Sequence, residues 1–156
     1  MKINNKFEIL LNKKQYNDII SLIDENNNPS NEHLYYLGIA YYKLTEFNKA
    51  ESIFNKLMNE GATSDIIAYL IICKIKIDDL VAAMQLYNTL CTNENKNIIE
   101  FIHNKDYENA LNLTLFLKSI PLDLPNKESK TNDLIDLVNL HNYNKLSLLL
   151  AEKITT

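Results

Sequence analysis

The chain has 156 residues, 46 % of them hydrophobic, and a net charge of −4. That is one ordinary domain, long enough to bury roughly 70 % of the surface its unfolded form exposes. Only 2 Gly and 3 Pro leave little punctuation for a many-turned β fold, and all 16 basic residues are Lys, so bidentate Arg recognition of phosphate or guanine is excluded.

The N-terminal MKINNKFEILLNKK contains no apolar run of signal-peptide length. Ile3 to Leu11 and Tyr16 to Ile23 read as a helical hairpin, residues 2–28, closing at Asn26-Asn27-Asn28-Pro29, where Pro forbids continuation. Lys6 stands where a core residue is usual, which makes this hairpin a degenerate N-terminal cap. Ser30 or Asn31 can then cap a second hairpin, residues 31–61. In its sequence LYYLGIAYYKLTEFNKAESIFNKL, Leu34, Leu37, Gly38 and Tyr41 fall on one helical face, and Ala50, Phe54 and Leu57 on another. Lys43 to Phe47 is too short for anything but a tight reversal, so the two helices lie antiparallel. Gly38 costs a mid-helix position about 1 kcal/mol against Ala, a cost accepted where another backbone comes close. Gly61 is placed for a left-handed C-cap.

The third hairpin, residues 64–92, sets Ile67, Leu70 and Ile71 against Ala83, Tyr87 and Leu90. Its run IIAYLIICKIKI is about twelve residues long and carries two lysines, a buried core helix and not a membrane span. Lys74, in the register of Tyr41, is expected to lay its stem on apolar surface and reach water with its ammonium. Cys73 and Cys91 read as reduced, buried small hydrophobes of a cytoplasmic or nuclear protein. A fourth hairpin, 96–119, opens with a helix of about two turns carrying Ile98, Phe101 and Ile102, ahead of Tyr107, Ala110 and Leu117. Pro121 and Pro125 then exclude helix from a linker, 120–130. The last pair, 131–155, packs Leu134, Leu137 and Val138 against Leu146 and Leu150, as a fifth repeat or a capping hairpin.

One turn recurs through this series: QYNDI (Gln15–Ile19), EFNKA (Glu46–Ala50), DLVAA (Asp79–Ala83), DYENA (Asp106–Ala110) and NYNKL (Asn142–Leu146). Each has a polar residue, an aromatic or Leu, two variable residues and an aliphatic. The spacings are 31, 33, 27 and 36 residues. Recurrence at such a period marks stacked units that cannot bury their faces alone. With the large, small and aromatic order of Leu34 to Leu57, the chain resembles the tetratricopeptide repeat, a helix-turn-helix unit of about 34 residues. Leu34 and Ala62 depart from that family's common Trp and Pro. The resemblance implies an all-α, right-handed α-solenoid of four to five hairpins in a single domain spanning residues 1–156.

It also implies a concave groove lined by the first helix of each hairpin. The family's groove positions fall on Glu32, Tyr35, Tyr36, Ile39 and Tyr42, and in the next repeat on Asp65, Ala68, Tyr69, Ile72 and Ile75. The set is apolar and aromatic, as suits anchors for an apolar or helical peptide; packing of Tyr36, Tyr69 and Ile72 between neighbouring hairpins is the competing assignment. Tyr35 and Ile39 stand where the family's two-carboxylate clamp for chaperone C-termini would have Lys and Asn, so chaperone-tail binding is disfavoured. The acidic balance argues likewise against the related RNA-binding repeat class.

Catalytic signals are weak. His33, His103 and His141 sit near helix ends in three different hairpins, without a ligand at metal spacing, and no Gly-rich phosphate loop or nucleophile elbow is present. Asp78-Asp79, Asp133 and Asp136 suit helix starts. The expectation is a non-enzymatic interaction module, adaptor or scaffold, without metal or cofactor, holding a protein or peptide and neither nucleic acid nor membrane. The alternative is a self-associating scaffold subunit. Hairpins one to three are similar in YYLGIAYYKLTEFNKA and IIAYLIICK to the tetratricopeptide subunits of the anaphase-promoting complex, a cell-cycle ubiquitin ligase.

Overall fold

The computed structural model describes residues 2–25, 28–122 and 129–156. Asn26 and Asn27 of the expected first closing turn, residues 123–128 of the expected linker with Pro125, and the side chain of Ile3 lie outside the described residues. The described residues form nine helices and no strand, so the protein is all-α. They are α1 (Lys2–Asn12), α2 (Tyr16–Asp24), α3 (Asn31–Lys43), α4 (Phe47–Glu60), α5 (Ser64–Lys76), α6 (Leu80–His103), α7 (Tyr107–Lys118), α8 (Leu134–Asn139) and α9 (Tyr143–Thr155).

The chain divides into two compact units, Met1–Ala83 and Met84–Thr156. In the first, α1 packs on α2, α2 on α3, α3 on α4 and α4 on α5. In the second, α9 packs on both α7 and α8.

The recurrent sequence turn is a recurrent structure. Lys14, Thr45, Asp78, Lys105 and His141 all adopt the left-handed conformation, with φ between 55° and 64°. At each, that residue's N–H donates to the carbonyl three residues back and the next residue's N–H to the carbonyl five back, as Thr45 to Tyr42 and Glu46 to Tyr41. This is the Schellman closure, which satisfies carbonyls that a helix end leaves without partners. The residue after the left-handed one opens the next helix, and the aliphatic four places further on, Ile19, Ala50, Ala83, Ala110 or Leu146, is fully buried. The sequence motif therefore encodes a stop, a reversal and the first fully buried residue of the returning helix. None of the five left-handed positions is Gly, although a β-branched Thr45 tolerates that conformation poorly.

Leu34, Leu37, Gly38, Ala50, Phe54 and Leu57 are buried, whereas Tyr41 is half-buried with the Lys49 ammonium 5.3 Å from its ring centroid. Ser30 caps α3: its hydroxyl accepts from the His33 N–H, and its own N–H donates to His33 Nδ1. Lys6 is exposed and Phe7 beside it is buried.

Three local expectations change. The breaks expected near residues 92–96 do not occur, because α6 runs unbroken over 24 residues. CTNENKNI carries turn-prone Thr and Asn but neither Gly nor Pro, so nothing forces the helix to stop. Thr89 and Thr92 fold their hydroxyls back onto the Gln85 and Asn88 carbonyls, and Asn95 is buried where it donates to the Val138 carbonyl and accepts from the Tyr143 hydroxyl. Lys74 keeps some exposure, but its ammonium is engaged by carboxylates: its Nζ lies 2.6 Å from Glu51 Oε1 on α4 and 3.9 Å from Asp79 Oδ2. With Lys74 and Glu51 only 15 % and 18 % exposed, the pair ties α5 to α4 in partial shelter from solvent. Gly61 ends α4 at φ 141° and ψ 101°, a glycine-only conformation outside the left-handed helical region.

Candidate functional site

All ten groove residues lie in the first unit, on α3 and α5. Their environment starts from Gly38. A Cβ there would sit 2.8 Å from Phe54 Cζ, so the absence of a side chain lets the Phe54 ring, rather than a backbone, press against α3. Phe54 in turn stacks on Tyr69, with centroids 5.2 Å apart and planes within 4°. Tyr69 meets Tyr42 edge-on at 5.3 Å and Tyr35 at 6.5 Å; Tyr35 meets Tyr36 at 5.6 Å, and Tyr36 stacks on Phe7 of α1 at 5.2 Å. A connected run of rings thus crosses from α1 to α5, each contact in a geometry favoured by the ring quadrupoles.

Within this run the ten residues separate. Tyr36, Ile39 and Ala68 are buried and hold helices together. Glu32, Tyr35, Tyr42, Tyr69, Ile72 and Ile75 are partly accessible, and Asp65 is exposed. Tyr35, Ile39 and Tyr69 come together in a cleft of about 420 Å³ whose other walls include Glu8 and Leu11 of α1, Lys14, and Lys43 of α3. Glu32, Tyr35 and Tyr36 line an adjoining cleft of about 380 Å³, closed by Leu57 and Glu60 of α4 and by Thr63 and Ile66. Tyr35 is common to both. Tyr42, in edge-on contact with Tyr69, and Ile72 and Ile75 on α5 line neither of these two clefts.

The contribution of α1 was the missing part of the sequence expectation. The turn spacing of 31 residues places Glu8 in the register of Ile39 and Leu11 in that of Tyr42. That signal was present; it was masked by the polar character of the first helix.

The hydroxyls are anchored by carboxylates. Tyr35 donates to Asp65 Oδ2 at 2.6 Å, and Tyr36 to Glu8 Oε1 at 3.0 Å. Burial, reinforced by the Glu8 hydrogen bond, pushes the Tyr36 phenol up to about 12; burial and the Asp65 bond push Tyr35 up as well. Tyr69 and Tyr42 are raised chiefly by burial. All four remain neutral donors at physiological pH. For Asp65, burial raises the carboxyl, but hydrogen bonds from Thr63, from Tyr35 and from the Ile66 and Asp65 amides outweigh it, and the net position is below the ordinary value of 3.8.

That shift has a definite sign. A carboxyl lowered in the folded state contributes stability that is fully present above its unfolded value and is lost as pH falls through the folded value, here below about pH 4. In Tyr35→Phe the carboxyl loses one donor and should titrate at higher pH, followed through the Asp65 carboxyl carbon by NMR. An unchanged titration would show that the Tyr35 bond contributes nothing.

The histidines have structural places: His33 in the α3 cap, His103 as the last residue of α6, and His141 at a left-handed turn position, stacked on Tyr143 at 5.8 Å. Burial lowers the His141 pKa. Cys73 and Cys91 are free and buried, and burial raises both thiols, Cys73 to about 11. Among the described residues there is no group of three or more His, Cys, Asp or Glu that could hold a metal ion, and no helix is long and apolar enough to cross a membrane.

No protein-family model, no curated protein and no solved structure matches the chain. The geometry of the clefts therefore stands as the principal guide to function.

Proposed function

We propose that the protein is a non-enzymatic, tetratricopeptide-like interaction module, a solenoid of helical hairpins, that binds an apolar or helical segment of a partner protein on the face formed by α1, α3 and α5. The observation that carries this reading is the cleft of about 420 Å³ built by side chains of those three first helices, with Tyr35, Ile39, Tyr69 and Leu11 as its apolar lining. The five matching Schellman turns support the repeat architecture, since each returns the chain with the same hydrogen bonds. Tyr35 is partly accessible with its hydroxyl fixed on Asp65, so it loses little conformational freedom on binding, which is what favours Tyr as an anchor.

The test is the double variant Tyr35→Ala with Leu11→Ala, two lining residues that are not fully buried. Helical peptides selected against the intact protein should bind it at least roughly tenfold more weakly after these changes, a loss of about 1.4 kcal/mol or more, while helical circular dichroism is kept. Undiminished affinity in a folded variant would remove the groove from the interaction.

A further inference from the structure

The two clefts that meet at Tyr35 differ in charge. On the side of the larger cleft, Lys14 and Lys43 lie at its wall and outnumber the carboxylate of Glu8, whose Oε1 already accepts from the Tyr36 hydroxyl, and Lys76 stands at the same ends of the first helices. Lys43 and Lys76 flank one aromatic pair, 6.0 Å from the Tyr42 centroid and 5.9 Å from that of Phe47, with the two rings 5.8 Å apart. Among the described residues none of these three lysines has a carboxylate within 4.0 Å, in a chain whose net charge is −4. On the side of the smaller cleft, Glu32 and Glu60 line the wall, and neither has a cationic partner among the described residues. Glu60 accepts from the Asn31 amide, at 2.8 Å.

Helix macrodipoles alone favour lysines at C-terminal ends and carboxylates at N-terminal ends. They do not require that both sets open into adjoining clefts divided by one aromatic side chain. We infer that the occupant of this face is an amphipathic helix with three stripes: an apolar row set beside Tyr35, acidic side chains on the flank over Lys14 and Lys43, and basic side chains on the flank over Glu32 and Glu60. A helix with its side chains is about 10–12 Å wide, so opposite flanks reach opposite edges while the central row fills the cleft. Because the lysines and glutamates lie at the rim, they select and orient the helix more than they hold it; the apolar row supplies the affinity. This inference rests on the groove reading and adds the partner's charge pattern to it.

The probe is a library of helical peptides with a fixed apolar row at i, i+3, i+4 and i+7 and randomised flanks, selected against the intact protein. Binders should carry acidic residues on one flank and basic residues on the other. The charge-reversed variant Lys14→Glu with Lys43→Glu should bind them about three- to tenfold more weakly and should select peptides basic on both flanks. Glu32→Lys with Glu60→Lys should shift selection toward peptides acidic on both flanks. These residues are surface charges, so the fold is expected to survive, and circular dichroism checks it. Binders with uncharged or randomly charged flanks, unaffected by either reversal, would overturn the charge polarity and leave the groove standing. Failure of any apolar-row peptide to bind would overturn both.

Discussion

Phe54→Ala is expected to lower stability by about 3–5 kcal/mol, the range for removing a fully buried aromatic ring from a core that cannot collapse onto the space. Phe54 is 0 % exposed and is held from two directions. Above it, Gly38 has no side chain to fall into the vacancy; beside it, Tyr69 lies parallel at 5.2 Å. Removing the ring leaves Tyr69 without the surface that fixes it, and Tyr69 is the link to Tyr42 and Tyr35. The variant should therefore show two effects. Urea denaturation should shift its midpoint with little change in slope, and peptide affinity should fall even under conditions where the variant is fully folded. A loss of less than about 1 kcal/mol would mean that α3 and α4 close over the cavity, and that Phe54 is not what sets the groove's floor.

The path from core to groove through a single stack explains what could be read in the sequence. The helical class and the series of turns were legible because they depend on local chemistry: a polar residue that starts a helix, an aliphatic four places later, and few glycines or prolines. The same residues, Ile19, Ala50, Ala83, Ala110 and Leu146, prove to be buried at equivalent places. The continuity of α6 was not legible, because Thr and Asn are ambiguous between turn and helix until a partner appears, and the partners of Asn95 are 43 and 48 residues away, at Val138 and Tyr143. The fate of Lys74 was hidden for the same reason, since Glu51 belongs to the preceding hairpin. At the candidate site, spacing identified which residues face away from the hairpin core. It could not separate Tyr36 and Ile39, which are buried at the cleft walls, from Tyr35 and Tyr69, which keep partial exposure there. For Tyr36 the cover comes from the first hairpin, where the Phe7 ring stacks on it.

Gly38 gives the sharpest contest between a local rule and the packed structure. Helix propensity by itself makes Gly38→Ala a gain of about 1 kcal/mol, since Ala restricts the unfolded chain and suits a helix interior. The packed structure opposes it. The new methyl would lie 2.8 and 2.9 Å from Phe54 Cζ and Cε1 and 3.3 Å from Ile53 Cγ2, and the ring it strikes is pinned by Tyr69 on α5. We therefore expect Gly38→Ala to be destabilising despite its propensity, and Gly38→Leu to cost about 1–3 kcal/mol through overpacking. A double-mutant cycle decides the cause. With Phe54→Leu in place, the obstructing ring edge is gone, and the Ala substitution should become neutral or stabilising. The two changes should then depart from additivity by about 0.5–3 kcal/mol, as expected for residues in direct contact. Additive changes in the urea midpoint, or a Gly38→Ala protein more stable than the parent, would mean that the close approach of Phe54 is not what keeps this helix position free of a side chain.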